Sequence, residues 1–199
     1  MSPYRTLFLL TGLVLLMAAP LEAANKAPKP LKFLSALVDE AATKGELGKA
    51  HHKALRYADR CLVDDGNWER GLENQVPVNQ TYELLGGSVM CWQSAEKKFQ
   101  KVAGNLLVPA KWVSARARYI EAFRGYLWGI DAKMSGERTQ ACRRLREATR
   151  QAVLANEASA GLADAFTVDA AKALALAAEK MSGEMGAIIA TEFKNQKCE

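Results

Sequence analysis

The chain has 199 residues, of which 49% are hydrophobic, 25% charged and 8% aromatic, and Lys plus Arg outnumber Asp plus Glu by 27 to 22. These proportions fit a globular domain and exclude a disordered chain, a collagen-like repeat or a multi-pass membrane protein. The length suits one hydrophobic core. The expected organisation is a leader over 1–23, a short tail over 24–30 and a single domain over 31–199.

Arg5 forms a small basic start, and residues 7–19 make an uncharged apolar run that Pro20 closes. Leu21-Glu22-Ala23 supplies an acceptable pair of positions for signal peptidase. About 13 apolar residues fall short of the ~20 needed to span a bilayer as a helix, so the segment reads as a secretory signal peptide. No later stretch is apolar for long enough to span. The mature chain is therefore expected to lack a transmembrane segment and to be periplasmic or extracellular.

Four cysteines follow: Cys61, Cys91, Cys142 and Cys198. An even number in an exported chain, with no CxxC or CxxCH, favours disulfides over zinc, thioredoxin-like chemistry or haem attachment. Spacing alone leaves three connectivities open. The expected pairing is Cys61–Cys91 and Cys142–Cys198, each joining neighbouring antiparallel helices. Loop closure of that kind is worth roughly 3.6 and 4.2 kcal/mol before native strain is subtracted.

Along the chain the apolar spacing is helical throughout. Leu31, Leu34, Leu37, Val38 and Ala41 form a first stripe, broken at Lys44-Gly45-Glu46. Leu47, His51, Ala54, Ala58 and Cys61 carry a second, which Asp64-Asp65-Gly66-Asn67 is expected to end, leaving a polar loop to about Val78. Leu84, Ser88, Cys91, Ala95, Phe99 and Val102 mark a third helix, with breaks expected at Gly104-Asn105 and Pro109. Val113, Ala117, Ile120, Phe123, Leu127, Ile130 and Met134 give the clearest stripe. Another helix begins near Thr139 with Cys142, Leu145, Thr149, Ala152 and Val153. An alanine-rich helix runs through Met181, and a last short one carries Met185, Ile188, Ile189 and Phe193. The fold class is all-α: a disulfide-stapled bundle of five to seven helices. Lys133-Met134-Ser135-Gly136-Glu137 recurs as Lys180-Met181-Ser182-Gly183-Glu184, which reads as a reused helix-ending turn.

Chemistry is sparse. Adjacent His51 and His52 diverge by about 100° on a helix and make a poor metal pair. The acidic run at Asp64 lacks the alternating ligands of a calcium loop and reads as a turn. No GxSxG, phosphate-binding loop or HExxH is present. Glu121 and Asp131 share a helix but stand about 15 Å apart along it, too far for a glycosidase pair. No metal and no cofactor are expected. An envelope enzyme would need two ionisable groups converging from different helices, with Glu121 or Asp131 among them; a ligand-carrying bundle would need a large apolar interior. Asn79-Gln80-Thr81 would be a glycosylation acceptor in a eukaryotic secretory pathway.

Charge is distributed unevenly. Residues 110–150 hold ten basic and four acidic side chains, whereas 151–199 hold four and seven. Arg143, Arg146 and Arg150 recur on one helical face, with Arg144 beside them. Such a face suits an acidic protein partner or an anionic envelope surface, and the absence of interleaved aromatics argues against nucleic acid. Gly125 and Gly129 leave one side of the long helix without bulk, where another backbone can approach; Gly86-Gly87 is the expected facing contact. Tyr126 and Trp128 project elsewhere and join the three arginines as candidate partner-binding residues.

The stretch Arg124-Gly125-Tyr126-Leu127-Trp128-Gly129-Ile130-Asp131-Ala132 resembles the Gly-Tyr-aliphatic-x-Gly helix of the exported immunity proteins that neutralise peptidoglycan-amidase effectors of type VI secretion. Glu83-Leu84-Leu85 followed by Cys91 is similar to that family's leucine-rich, cysteine-bearing helix. The likeness covers about 50 residues, and Phe123-Arg124 stands where the family usually has a cysteine. It implies a helical, disulfide-bonded periplasmic protein that inhibits by occluding an amidase active site. The function expected from the residues themselves is broader: an exported, non-enzymatic helical domain that binds a protein partner.

Overall fold

The computed structural model describes residues 34–102 and 104–198. The leader and the tail lie outside the described residues. The chain forms α1 (Ser35–Ala42), α2 (Lys49–Glu73), α3 (Val78–Gln100), α4 (Leu107–Met134), α5 (Arg138–Ser159), the single turn α6 (Leu162–Ala165) and α7 (Asp169–Asn195). Among the described residues there is no strand, and no helix is long and apolar enough to cross a membrane. The fold is the expected all-helical bundle.

Helix α4 is the axis, packed against α3, α5 and α7. The sequence shows one apolar stripe on it, but Trp112, Ala115, Tyr119, Ala122, Tyr126, Gly129 and Ala132 are buried as well. A helix apolar around most of its circumference belongs in the middle of a fold. Met134, assigned to the stripe, is instead exposed at the helix end. Pro109 does not break the chain; it lies in the first turn of α4, where an amide has no helical acceptor to lose.

Two further expected breaks are absent. Helix α2 continues through Asp64-Asp65-Gly66-Asn67 to Glu73, because Asp65 faces inward and meets partners there. It ends instead with Gln75 in the left-handed region (φ 55°) and Val76 N–H bonded to Gly71 O at 2.9 Å, a Schellman closure. Pro77 then precedes α3. In the first copy of the repeat, Gly136 (φ 76°) turns the chain in the same way, with Glu137 N–H on Ala132 O. The second copy is different: α7 runs unbroken through Ser182-Gly183, and Ser182 Oγ donates back to Ala178 O. The alanine-rich helix and the last short helix are thus one helix of 27 residues.

Both disulfides form as expected. Cys61–Cys91 ties α2 to α3, and Cys142–Cys198 ties α5 to the chain just past α7; no cysteine is free. The second pairing needs a turn at the end of α7, and Lys197 (φ 50°) makes it, with Cys198 N–H on Phe193 O. At the other end of α7 the cap comes from far away. The buried carboxylate of Glu40 accepts from Thr167 N–H and Val168 N–H, both at 2.7 Å, so α1 closes the start of α7.

The glycine pair on α4 does mark close packing, but against α5 rather than Gly86-Gly87. A Cβ at Gly125 would lie 3.1 Å from that of Ala148, and one at Gly129 would lie 2.8 Å from Leu145 Cγ. Thr81 of the glycosylation triplet is buried, its hydroxyl turned onto Pro77 O at 3.3 Å.

Candidate interaction surface

Two groups of polar and aromatic side chains stand out, one inside the bundle and one at its surface. Inside, Asp65 accepts from Trp92 Nε1 at 3.0 Å, from Trp68 Nε1, from Ser88 Oγ, and from Arg116 Nη2 at 2.7 Å and Nε at 3.1 Å. Arg116 is 13% exposed, also faces Glu69 at 3.8 Å and lies over the Tyr119 ring. Burial alone would lower the Arg116 pKa, but Asp65 and Glu69 outweigh it and raise it. Burial pushes the Tyr119 phenol up to about 12 and raises Glu69 as well. Every lone-pair direction of Asp65 is spent on the protein itself. The group fastens α2, α3 and α4 together.

The surface group centres on Trp128. Its ring stacks on Tyr82 of α3, centroids 5.4 Å apart and 13° from parallel. The Arg144 guanidinium carbon of α5 sits 3.1 Å from the Trp128 centroid, and that of Arg124 of α4 sits 5.4 Å from it. Arg124 Nε donates to Tyr82 O at 3.1 Å. The three helices meet here because Gly125 and Gly129 let α5 close on α4: Trp128 precedes Gly129, and Arg144 precedes the Leu145 that fills the gap. None of Arg124, Arg143, Arg144 or Arg146 has a carboxylate within 4 Å among the described residues. Burial, then the like charges of Arg143 and Arg124, lower the Arg144 pKa.

The candidate residues separate on this surface. Trp128 is half-buried at its centre, and Arg143 and Arg146 are exposed on α5. Arg150 is exposed but held by Glu147 at 2.7 Å, and Arg150 together with Gln151 lowers the Glu147 pKa. Tyr126 is 4% exposed, with its phenol pushed up to about 12 by burial, so it faces the interior and offers no side-chain surface to a partner. Sequence reasoning missed Tyr82 and Arg124 and placed Arg144 only beside the basic face. The spacing of Trp128 and Arg144 around the Gly125–Gly129 contact was the available signal; Tyr82 had none.

The remaining candidates do not assemble. Glu121 pairs with Arg118 on its own helix at 3.5 Å, and Arg118 also reaches Glu96. Asp131 stands elsewhere on α4. His51 Nδ1 accepts from Gly48 N–H at 3.1 Å, a capping role at the start of α2. Among the described residues no group of three His, Cys, Asp or Glu could hold a metal. Compared with family models, curated proteins and solved structures, the chain matches none significantly.

Proposed function

We propose that this chain is an exported, non-enzymatic helical domain that binds an acidic protein partner through the surface around Trp128. The observation that carries the reading is the cluster of Arg124, Arg143 and Arg144: Arg144 is held below its usual pKa by burial and then by the other two cations, and none of the three has an acid within ion-pairing distance among the described residues. Such a field steers and orients an acidic partner. Export is supported by the apolar leader and by four cysteines that all lie in disulfides, bonds that persist in oxidising compartments.

The narrower reading, inhibition of a peptidoglycan-amidase effector, uses the same surface. Of the stretch that carries the family likeness, Gly125 and Gly129 pack against α5 and Tyr126 is buried, leaving Arg124, Trp128 and Asp131 partly accessible. A photo-crosslinking residue at position 143 of the exported chain tests the broad reading. It should give a discrete protein adduct that disappears on combining Arg124→Gln with Arg144→Gln and is absent with the probe at position 172. An identical pattern from both positions would end the proposal. Stoichiometric inhibition of a purified amidase would establish the narrower form.

A further inference from the structure

We propose that Arg124 and Arg144 form a clamp for a side-chain carboxylate on an acidic segment of the partner; this rests on the partner-binding reading and specifies its chemistry. A guanidinium that is already ordered loses little freedom when it takes an acid, so its fork is a better receptor than a waving side chain. Both arginines are ordered here. Arg124 is tied to the Tyr82 carbonyl through Nε and lies against Gly86, where a Cβ would come within 3.4 Å of Arg124 Nη2. Arg144 lies over the Trp128 ring, its guanidinium carbon 3.1 Å from the centroid, and that ring is itself stacked on Tyr82. With Tyr82, Arg124 and Arg144 all around it, the Trp128 ring is a platform that positions the cations.

The two guanidinium groups lie near one ring and repel each other, and an anion reaching both relieves that repulsion. Arg144 Nε is buried without a hydrogen-bond partner, so a carboxylate arriving from outside meets Arg144 at its Nη edge. A carboxylate is the ligand that matches a guanidinium edge with two parallel bonds. The size of the site favours a protein acid over a lipid surface. Glu83 and Asp131 lie close enough to Tyr82 to raise its pKa, behind burial as the larger cause, so acids border the cationic area. The positive region is therefore a few side chains wide. An anionic bilayer laid across it would meet those carboxylates as well.

The test follows the arginine Nε–Hε resonances of the oxidised exported chain during titration with a hexaglutamate peptide. Hexalysine, inorganic phosphate and phosphatidylglycerol vesicles form the comparison arms. The Arg124 and Arg144 signals should shift and saturate with hexaglutamate and stay unmoved by hexalysine. Arg144→Gln should weaken the peptide about tenfold or more, the loss expected for one charge-assisted pair. Arg144→Lys, which keeps the charge without the fork, should fall between, and Arg150→Gln should remain within about twofold of the parent because Glu147 already holds that arginine. Equal losses in Arg150→Gln and Arg144→Gln would overturn the clamp in favour of diffuse charge. So would tighter binding of phosphate or vesicles than of hexaglutamate. If the position-143 adduct forms while hexaglutamate leaves both arginines unmoved, the clamp is wrong and the partner reading stands. Peptide binding without any adduct would remove the partner reading alone.

Discussion

In two places an arginine of α4 lies beside aromatic rings. Arg116 sits over Tyr119 and shares Asp65 with the Trp68 and Trp92 indoles; Arg124 sits by Trp128 and Tyr82, with Arg144 on the other side of the α4–α5 seam. The difference is the acid. Inside, a carboxylate accepts from every donor around it, because a buried charge without a partner costs several kcal/mol. At the surface, Arg124 and Arg144 are half-exposed, and water reaching their outer edges lets them stand without an acid at a smaller cost than inside. Partnering marks a structural role, and its absence marks surface available to another molecule.

The comparison breaks most directly at Asp65. Asp65→Ala leaves Arg116, two indole N–H groups and the Ser88 hydroxyl without their acceptor, and should cost about 3–5 kcal/mol in urea unfolding. Arg144→Ala should cost about 1–2 kcal/mol, the worth of a half-buried cation–π contact. Equal losses would mean that the surface cations are structural after all.

Next in size is the Cys142–Cys198 bond, two residues from Arg144. Replacing both cysteines by serine should lower unfolding stability by about 2–4 kcal/mol. It should also free the start of α5, so that Trp128 fluorescence changes more than that of the indoles around Asp65. A uniform change at all four tryptophans would show that the bond supports the whole bundle and not this seam.

Much of this arrangement can be read in the sequence where the signal is periodic or countable. Helical spacing gives the class; spacing leaves three disulfide connectivities open, and the structure forms the one that adjacency in order suggested. What could not be read depends on the far side of the bundle. Asp65 sits in a run of Asp, Gly and Asn that by local chemistry ends a helix, and only Trp92, Ser88 and Arg116, 23 to 51 residues away, make it an interior position. Ser182-Gly183 reads as a turn for the same reason; nothing local distinguishes it from Ser135-Gly136, yet one copy is helical and the other turns. Glu40 resembles any surface glutamate until Thr167 and Val168 arrive. The surface site was half legible: Trp128 and the basic run stood out, while Tyr82 and the true facing of Gly125 and Gly129 are products of packing.

The seam is sharpened by opposite glycine substitutions. Gly129→Ala drives a methyl into Leu145 Cγ at 2.8 Å, and overpacking should outweigh the gain in helix propensity, for a net loss of about 1–2 kcal/mol. It should also displace Arg144 from Trp128 and weaken hexaglutamate binding. At Gly87 a Cβ meets nothing within 4 Å, so Gly87→Ala should stabilise α3 by up to about 1 kcal/mol and leave binding alone. A stabilising Gly129→Ala would show that α5 has room to move and that the close approach is not what seats Arg144.

The one pH-dependent effect comes from the acid that fits neither side of the comparison. Asp59 of α2 is buried like Asp65, but both its carboxylate oxygens lack a hydrogen-bond partner, and burial raises its pKa to about 6. Its titration therefore works against the usual direction for a carboxylate. Between the unfolded value near 4 and the folded value near 6, the folded state holds a proton that the unfolded chain has released. Stability from this group is full below about pH 4 and is lost as pH rises through 6. Unfolding midpoints of the parent and of Asp59→Asn measured between pH 4 and 7.5 should converge at the acid end. Above pH 6 the variant should be the more stable, since it keeps a neutral side chain of the same shape. A parent that instead gains stability across that range relative to Asp59→Asn would mean that the carboxylate is ionised in the fold and has found a cation.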